Sequence, residues 1–490
     1  MRPGDWSSDV CSSDLEGIKM AKIDFAHKAQ RKMFEVVLDA AIKHSDSDRR
    51  KALMQLVDLI EKTLGDVWGP AAYKMFRDIF SDPDSKWMKY ANNLLDDVHP
   101  NIIKGKGLNT GLEAGFRGFH IAQEQKKKHG VSIPWLVLVD PTSACNLKCT
   151  GCWSAEYGHL IQLSYEDLDR IVTEGEELGI HAWLMTGGEP LIRKKDILKL
   201  AEAHPYSSFH LFTNGTLIDD EFCEEVVRLG NIAPSISLEG FEEVNDLRRG
   251  KGVFQKVMRA MDIMKKHKLL FGTSICYTSA NYKTVTSDEF LDMIIAKGVK
   301  YTWYFHYMPV GNDASTDLLL TPEQREYMYH RVREIRKMDG GKPIVAVDFQ
   351  NDGEFVSGCI AGGKYYCHIN PNGDVEPCVF IHYSTANIHD MSLLDCLKQP
   401  LFKTYQANQP FNSNHLKPCP MLENPEKLVQ MVHETGAKST DLQSPEPVEH
   451  LCGKCENYAA EWDATADKLW EEGHLIKVDS DEYKELHKND

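Results

Sequence analysis

Between Ile133 and Val310 the chain alternates short apolar runs with helical stretches, and this alternation limits the fold more than any other feature. Strand-length runs stand at Trp135–Asp140, Ala182–Thr186, Phe209–Thr213, Pro234–Glu239, Leu270–Tyr277 and Tyr301–Met308, with helical patterns such as Tyr165–Leu178 and Phe254–His267 between them. Strands separated by helices pair in parallel, because each crossover returns over one face of the sheet. The expected fold is α/β, a partial (β/α)6 TIM-like barrel, in which chemistry gathers at the carboxyl ends of the strands. Around it stand a helical N-terminal module over residues 16–128, the barrel over 129–312, a loop-rich, cysteine-rich domain over 313–458, and a C-terminal helix with a charged tail over 459–490. The stretch Gly4–Leu15 reads as a translated sequencing-library adapter, so residues 1–15, with Cys11, are set aside from the fold.

A net charge of −17 argues against nucleic acid as a partner, since phosphate binding needs clustered Lys and Arg. No apolar run approaches the roughly 20 residues that span a bilayer. Thirteen cysteines without a secretory signal point to metal or redox chemistry in a reducing, cytoplasmic setting. One stretch leaves two readings open. Residues 101–128 carry Ile102, Ile103, Leu108, Leu112, Phe116 and Phe119 among Lys104, Lys106, Arg117 and Lys126–Lys128. They form either a helix packed on the next domain or an interfacial helix in peripheral contact with the inner face of a membrane.

Cys145, Cys149 and Cys152 place three soft ligands within eight residues, directly after the first strand. Three thiolates around a four-iron cluster leave one iron open, whereas a zinc site closed for structure wants a fourth ligand from elsewhere. Followed by Gly187-Gly188-Glu189-Pro190 after the second strand, the triad resembles the radical S-adenosylmethionine superfamily over roughly Pro134 to Gly311. The resemblance implies a [4Fe–4S] cluster on the triad and S-adenosylmethionine bound near Gly187, Gly188, Glu189 and Pro190, with Asn214, Ser237 and Arg249 as further cofactor contacts. It also implies reductive cleavage to a 5′-deoxyadenosyl radical that abstracts hydrogen from substrate, with an electron donor such as flavodoxin or ferredoxin. Where that family carries a bulky residue before the third cysteine, this chain has Gly151, and Trp153 or Tyr157 is the expected substitute.

Cys359 and Cys378, flanking the turn at Asn370–Asp374, resemble the opening of a SPASM auxiliary-cluster domain. With Cys419, Cys452 and Cys455 they offer five thiols for four places, which implies one auxiliary [4Fe–4S] cluster, with a second metal partly held by Cys367 or His368. A structural zinc site is the other reading of this set. Cys223, Cys276 and Cys396 read as small buried residues. Three functions stay open: a radical enzyme acting on a lipid, one acting on a peptide, and a non-enzymatic iron–sulfur or zinc protein. The wholly helical N-terminus argues against the peptide reading, and the aromatic run Trp303–Tyr307 offers a pocket wall for the lipid one.

Overall fold

The computed structural model describes residues 25–43, 46–65, 69–338 and 340–473. The adapter-like segment, the rest of residues 1–24 and the charged tail from residue 474 lie outside the described residues.

The six expected strands form: β1 (Leu136–Val139), β2 (Ala182–Met185), β3 (Ser208–Thr213), β4 (Ile232–Ser237), β5 (Gly272–Tyr277) and β6 (Tyr301–His306). They pair in parallel, each with the next. The intervening helices end where the local chemistry dictates. Tyr165–Leu178 opens on a capping box between Ser164 and Asp167 and stops at Gly179, which takes the left-handed conformation.

Three strands from beyond residue 312 enlarge this sheet. β7 (Val345–Asp348) adds in parallel beside β6, β8 (Tyr366–Ile369) pairs in parallel with β1, and β9 (Val375–Glu376) folds back antiparallel on β8. The order is β7-β6-β5-β4-β3-β2-β1-β8-β9. A histidine inside β8 hides it from an apolar pattern. His368 is fully buried only because Asp140, at the end of β1, and Glu376 on β9 approach its two ring nitrogens at 3.1 and 2.7 Å.

The N-terminal region is helical as expected, over Phe25–Lys43, Asp46–Leu64, Pro70–Ser81 and Lys86–Asp97. Residues 100–129 then form one continuous helical rod, wound as a π-helix over Gly107–Gly118. Its apolar face packs on the protein, with Ile102, Leu108 and Leu112 buried. Lys104 pairs with Asp39 at 3.3 Å, and the Lys106 ammonium donates to Phe209 O at 3.1 Å and to the Ser208 hydroxyl. Buried Glu113 accepts from Arg31 at 2.6 Å. The packed-helix reading accounts for the apolar face and for Lys104 and Lys106, whereas Lys126–Lys128 at the end of the rod are exposed. Among the described residues no helix is long and apolar enough to cross a membrane.

The last helix, Val448–Gly473, starts before the expected Ala459 and carries Cys452 and Cys455.

Candidate active site

The loop after β1 and the turn after β2 are built as one unit. Gly188 N donates to Thr142 O at 2.9 Å and Glu189 N to Ala144 O at 2.8 Å, which ties the turn to the strand of loop that leads into Cys145. A Cβ on Gly188 would stand 2.2 Å from Ala144 O, so only glycine allows this approach. Glu189 is fully buried, and its carboxylate accepts from Leu191 N at 2.9 Å, Thr213 Oγ1 at 2.7 Å and Asn214 N at 2.7 Å. It therefore staples the end of β2 to the end of β3. Burial still pushes its carboxyl above the usual range.

A cleft of about 170 Å³ opens at these strand ends and is lined by Cys145, Cys149, Cys152, Gly187, Gly188, Asn214, Ser237 and Arg249. The sequence motifs thus converge on one space. Glu189 and Pro190 stand behind its wall rather than on it. Asn214 is held to the cysteine loop by donating to Asn146 Oδ1 at 2.8 Å.

Three further residues complete the site. Arg248 also lines the cleft, and buried Glu239 accepts from both guanidiniums, from Arg248 Nη1 at 2.6 Å and Arg249 Nε at 2.9 Å. Cys276 lines the cleft instead of hiding in the core, and its N–H donates to the other Glu239 oxygen at 3.1 Å. Glu239 and Arg248 sit beside the motif residues Ser237 and Arg249, so adjacency was the available signal. Burial pushes the Cys145 thiol up to about 11 and raises Cys152 as well. Thiols so placed release their protons readily only to a metal, and Arg249 Nη1, 3.9 Å from Cys149 Sγ, adds positive charge beside them. The donor set fits a three-thiolate iron–sulfur cluster, and the paired arginines fit a ligand carboxylate.

The cleft adjoins a chamber of about 800 Å³, with Leu138, Phe212, Phe305, Met308, Val379 and Phe380 lining both. Its walls are largely apolar, with Trp303 stacked on Phe305 at 6.2 Å and Phe349 against Phe305 at 5.4 Å. Cys359, Cys378 and Cys419 also line it. Cys452 and Cys455 are buried on their helix and do not reach this wall. Neither Cys367 nor His368 is placed as expected for a second metal. Cys367 is buried in the sheet core, and the His368 ring nitrogens are both engaged by carboxylates. Trp153 lines the cleft and packs edge-on against Phe380 and His368, while Tyr157 lies deeper, stacked on His382 at 4.6 Å.

Residues 139–295 match the model of the radical SAM superfamily, and residues 359–421 match the SPASM iron–sulfur cluster-binding domain. The chain carries a radical SAM domain followed by a SPASM domain. It is an enzyme whose first domain is of the kind that binds S-adenosylmethionine and a [4Fe–4S] cluster, and whose SPASM domain is of the kind that binds auxiliary iron–sulfur clusters. An uncharacterized Archaeoglobus fulgidus protein is 30% identical over 48% of this chain, a match that spans only 56% of that protein's own length. The AdoMet-dependent heme synthase of Methanosarcina barkeri is 23% identical over 70% of this chain and 96% of its own. Mycofactocin maturase of Mycolicibacterium smegmatis is 27% identical over 53% of this chain and 69% of its own. Among solved structures, Streptococcus suis SuiB bound to its precursor peptide SuiA aligns with a TM-score of 0.53 at 20% identity, covering 64% of this chain and 77% of that one. At that identity the likeness concerns the fold.

Proposed function

We propose that this radical SAM enzyme abstracts hydrogen from a compact, largely apolar substrate held in the chamber between the two cysteine sets. The carrying observation is that the 800 Å³ chamber adjoins the 170 Å³ cleft across a shared wall of six residues. That volume lies within the roughly 300–1,000 Å³ of small-molecule sites. When bound, S-adenosylmethionine on a reduced [4Fe–4S] cluster supplies the carbon radical for the abstraction. Cys145, Cys149 and Cys152 hold that cluster, and a one-electron donor of the flavodoxin or ferredoxin type reduces it. Gly187, Gly188, Asn214, Ser237, Arg248 and Arg249 position the cofactor, with Glu189 and Pro190 shaping the turn from behind. Trp303, Phe305 and Phe349 exclude water from the reacting carbon. Cys359, Cys378 and Cys419 carry the auxiliary cluster. The heme synthase match, which spans nearly that whole relative, favours a small molecule over a peptide. A peptide presenting an apolar side chain is the second reading, favoured by the mycofactocin maturase match.

The test is anaerobic reconstitution with dithionite and S-adenosylmethionine, reading 5′-deoxyadenosine. Formation that Cys149→Ala abolishes is expected, and its absence from the wild type would overturn the enzyme reading. Stimulation by the organic-soluble fraction of a cell extract is expected for a compact apolar substrate. Stimulation by the peptide fraction alone would favour the second reading.

A further inference from the structure

A groove of about 420 Å³ shares no wall residue with the cleft or the chamber. It lies between the start of the helix Lys194–Ala203, the loop that follows β3, and the first turns of the helix Val253–Lys266. A thin wall divides it from the cysteine cleft, because Asn214 lines the cleft and Thr216 lines the groove. Asn214 Oδ1 accepts from Thr216 N at 2.9 Å and from Thr216 Oγ1 at 2.7 Å, and its Nδ2 donates to Asn146 Oδ1 at 2.8 Å. Asn146 Nδ2 in turn donates to Thr216 Oγ1 at 2.8 Å, which closes a knot of three side chains next to Cys145.

The charge of the groove has one sign. Asp219 is the one carboxylate on its wall, and it is engaged by Lys194 Nζ at 2.6 Å and by Phe222 N at 2.9 Å. Lys256 and Arg259 also line the groove and are exposed, and among the described residues they form no ion pair. Lys148, on the cysteine loop itself, is likewise exposed and unpaired among the described residues. Leu247, 83% exposed, stands beside that loop, since the carbonyl of the next residue, Arg248, accepts from Thr150 N at 2.9 Å. In a chain of net charge −17, free cations gathered on one face select a negative partner. Charges more than about 8 Å away are largely screened at physiological salt, so the acidic remainder of the chain does not cancel this patch. No buried polar atom of the groove wall lacks a partner among the described residues, so nothing there is built to hold a small anion. A broad cationic face with an exposed leucine nearby fits a protein surface instead.

We propose that a small acidic one-electron carrier protein docks on this face and passes its electron through the wall of Asn146, Asn214 and Thr216 to the metal site on Cys145, Cys149 and Cys152. One electron leaves the carrier and one enters the cluster, and no atom or proton moves between them. The proposal rests on the reading of the triad as the seat of a reducible [4Fe–4S] cluster. In that reading the cofactor fills the cleft and substrate the chamber, which leaves the groove side free for the carrier. Wild type and the double variant Lys256→Glu/Arg259→Glu are reconstituted to equal iron content, and 5′-deoxyadenosine formation from S-adenosylmethionine is followed with reduced flavodoxin and, separately, with dithionite. The variant is expected to be roughly 10- to 100-fold slower with flavodoxin at low salt, with the gap narrowing as salt is added and the dithionite rate unchanged. Equal flavodoxin-driven rates at low salt overturn the proposal. An equal loss with dithionite also overturns it, since the two cations would then be supporting the cysteine loop. Saturable binding of inorganic phosphate that the variant loses, with flavodoxin rates equal, would make the groove a small-anion site. Iron-loaded wild type that forms no 5′-deoxyadenosine with dithionite overturns the reading of the triad itself.

Discussion

Replacing Glu189 by Gln separates a residue that shapes the site from one that touches its ligand. The carboxylate accepts three hydrogen bonds from Leu191 N, Thr213 Oγ1 and Asn214 N, and no donor of its own is needed there. A Gln amide turns one oxygen into an NH₂ group that must face a donor. The favourable flip keeps Leu191 and Thr213 bonded and leaves the Asn214 N–H unsatisfied, at about 1–3 kcal/mol. The two surviving bonds lose their charge assistance, about another 1 kcal/mol together. Part of this returns, because burial already disfavours the charged form of Glu189. The net is about 2–3 kcal/mol, concentrated on the junction between the β2 and β3 ends. Hydrogen exchange of the Asn214 amide should quicken by roughly 30- to 150-fold, and mass spectrometry of peptides spanning residues 186–192 and 211–216 reads it. Protection within about threefold of wild type, together with a sharp loss of S-adenosylmethionine affinity, would refute the reasoning. That pattern belongs to a carboxylate in direct contact with the cofactor.

Gly188→Ala places a methyl 2.2 Å from Ala144 O and should displace the cysteine loop, lowering reconstituted iron by about four per chain in a colorimetric assay. Full loading would show that the loop yields. Cys359→Ser and Cys419→Ser should also cost about four irons per chain, whereas Cys452→Ser and Cys455→Ser, off the chamber wall, should leave the count unchanged. Burial lowers Lys106 from its usual 10.5 to about 7, with neutral His210, the Ser208 hydroxyl and Phe209 O as its neighbours. Below about pH 7 both folded and unfolded chains hold this proton, and between about 7 and 10.5 only the unfolded chain does, so stability rises with pH across that window. Lys106→Met should flatten that rise in melting temperature between pH 7 and 10, and an unaltered slope would count against it.

The six barrel strands and the convergence of their end motifs were legible because both depend on local order. A buried strand needs a short apolar run, and a strand-end site needs its residues just after that run. β7 and β8 were not legible. Val345–Asp348 and Tyr366–Ile369 hold polar residues whose burial depends partly on partners far along the chain, such as Tyr277 for Asp348 and Asp140 for His368. The amphipathic rod of residues 100–129 was ambiguous for the converse reason. Periodicity shows that a face is apolar without naming its cover, which is Phe34 and its neighbours on the first helices for Leu108 and Leu112, and the main core for Ile102. The same holds for Glu189. Its place in the Gly-Gly-Glu-Pro turn was readable, while its orientation away from the cleft depends on Thr213 and Asn214. The aromatic run Trp303–Tyr307 was legible as a pocket wall, while which of its rings face the cleft and which the chamber depends on how β6 sits in the sheet.

The parallel pairing of β8 with β1 also sets an order of events during synthesis. β1 and β8 lie roughly 230 residues apart in the chain. At about 5–20 residues per second the ribosome needs roughly 10–50 s to bring out the second after the first. Throughout that interval β1 is a bare edge on the nascent chain, open to wrong pairing. The loop with Cys145, Cys149 and Cys152 leaves that same strand, so it stands at the open edge of the nascent sheet until residues 366–369 have emerged.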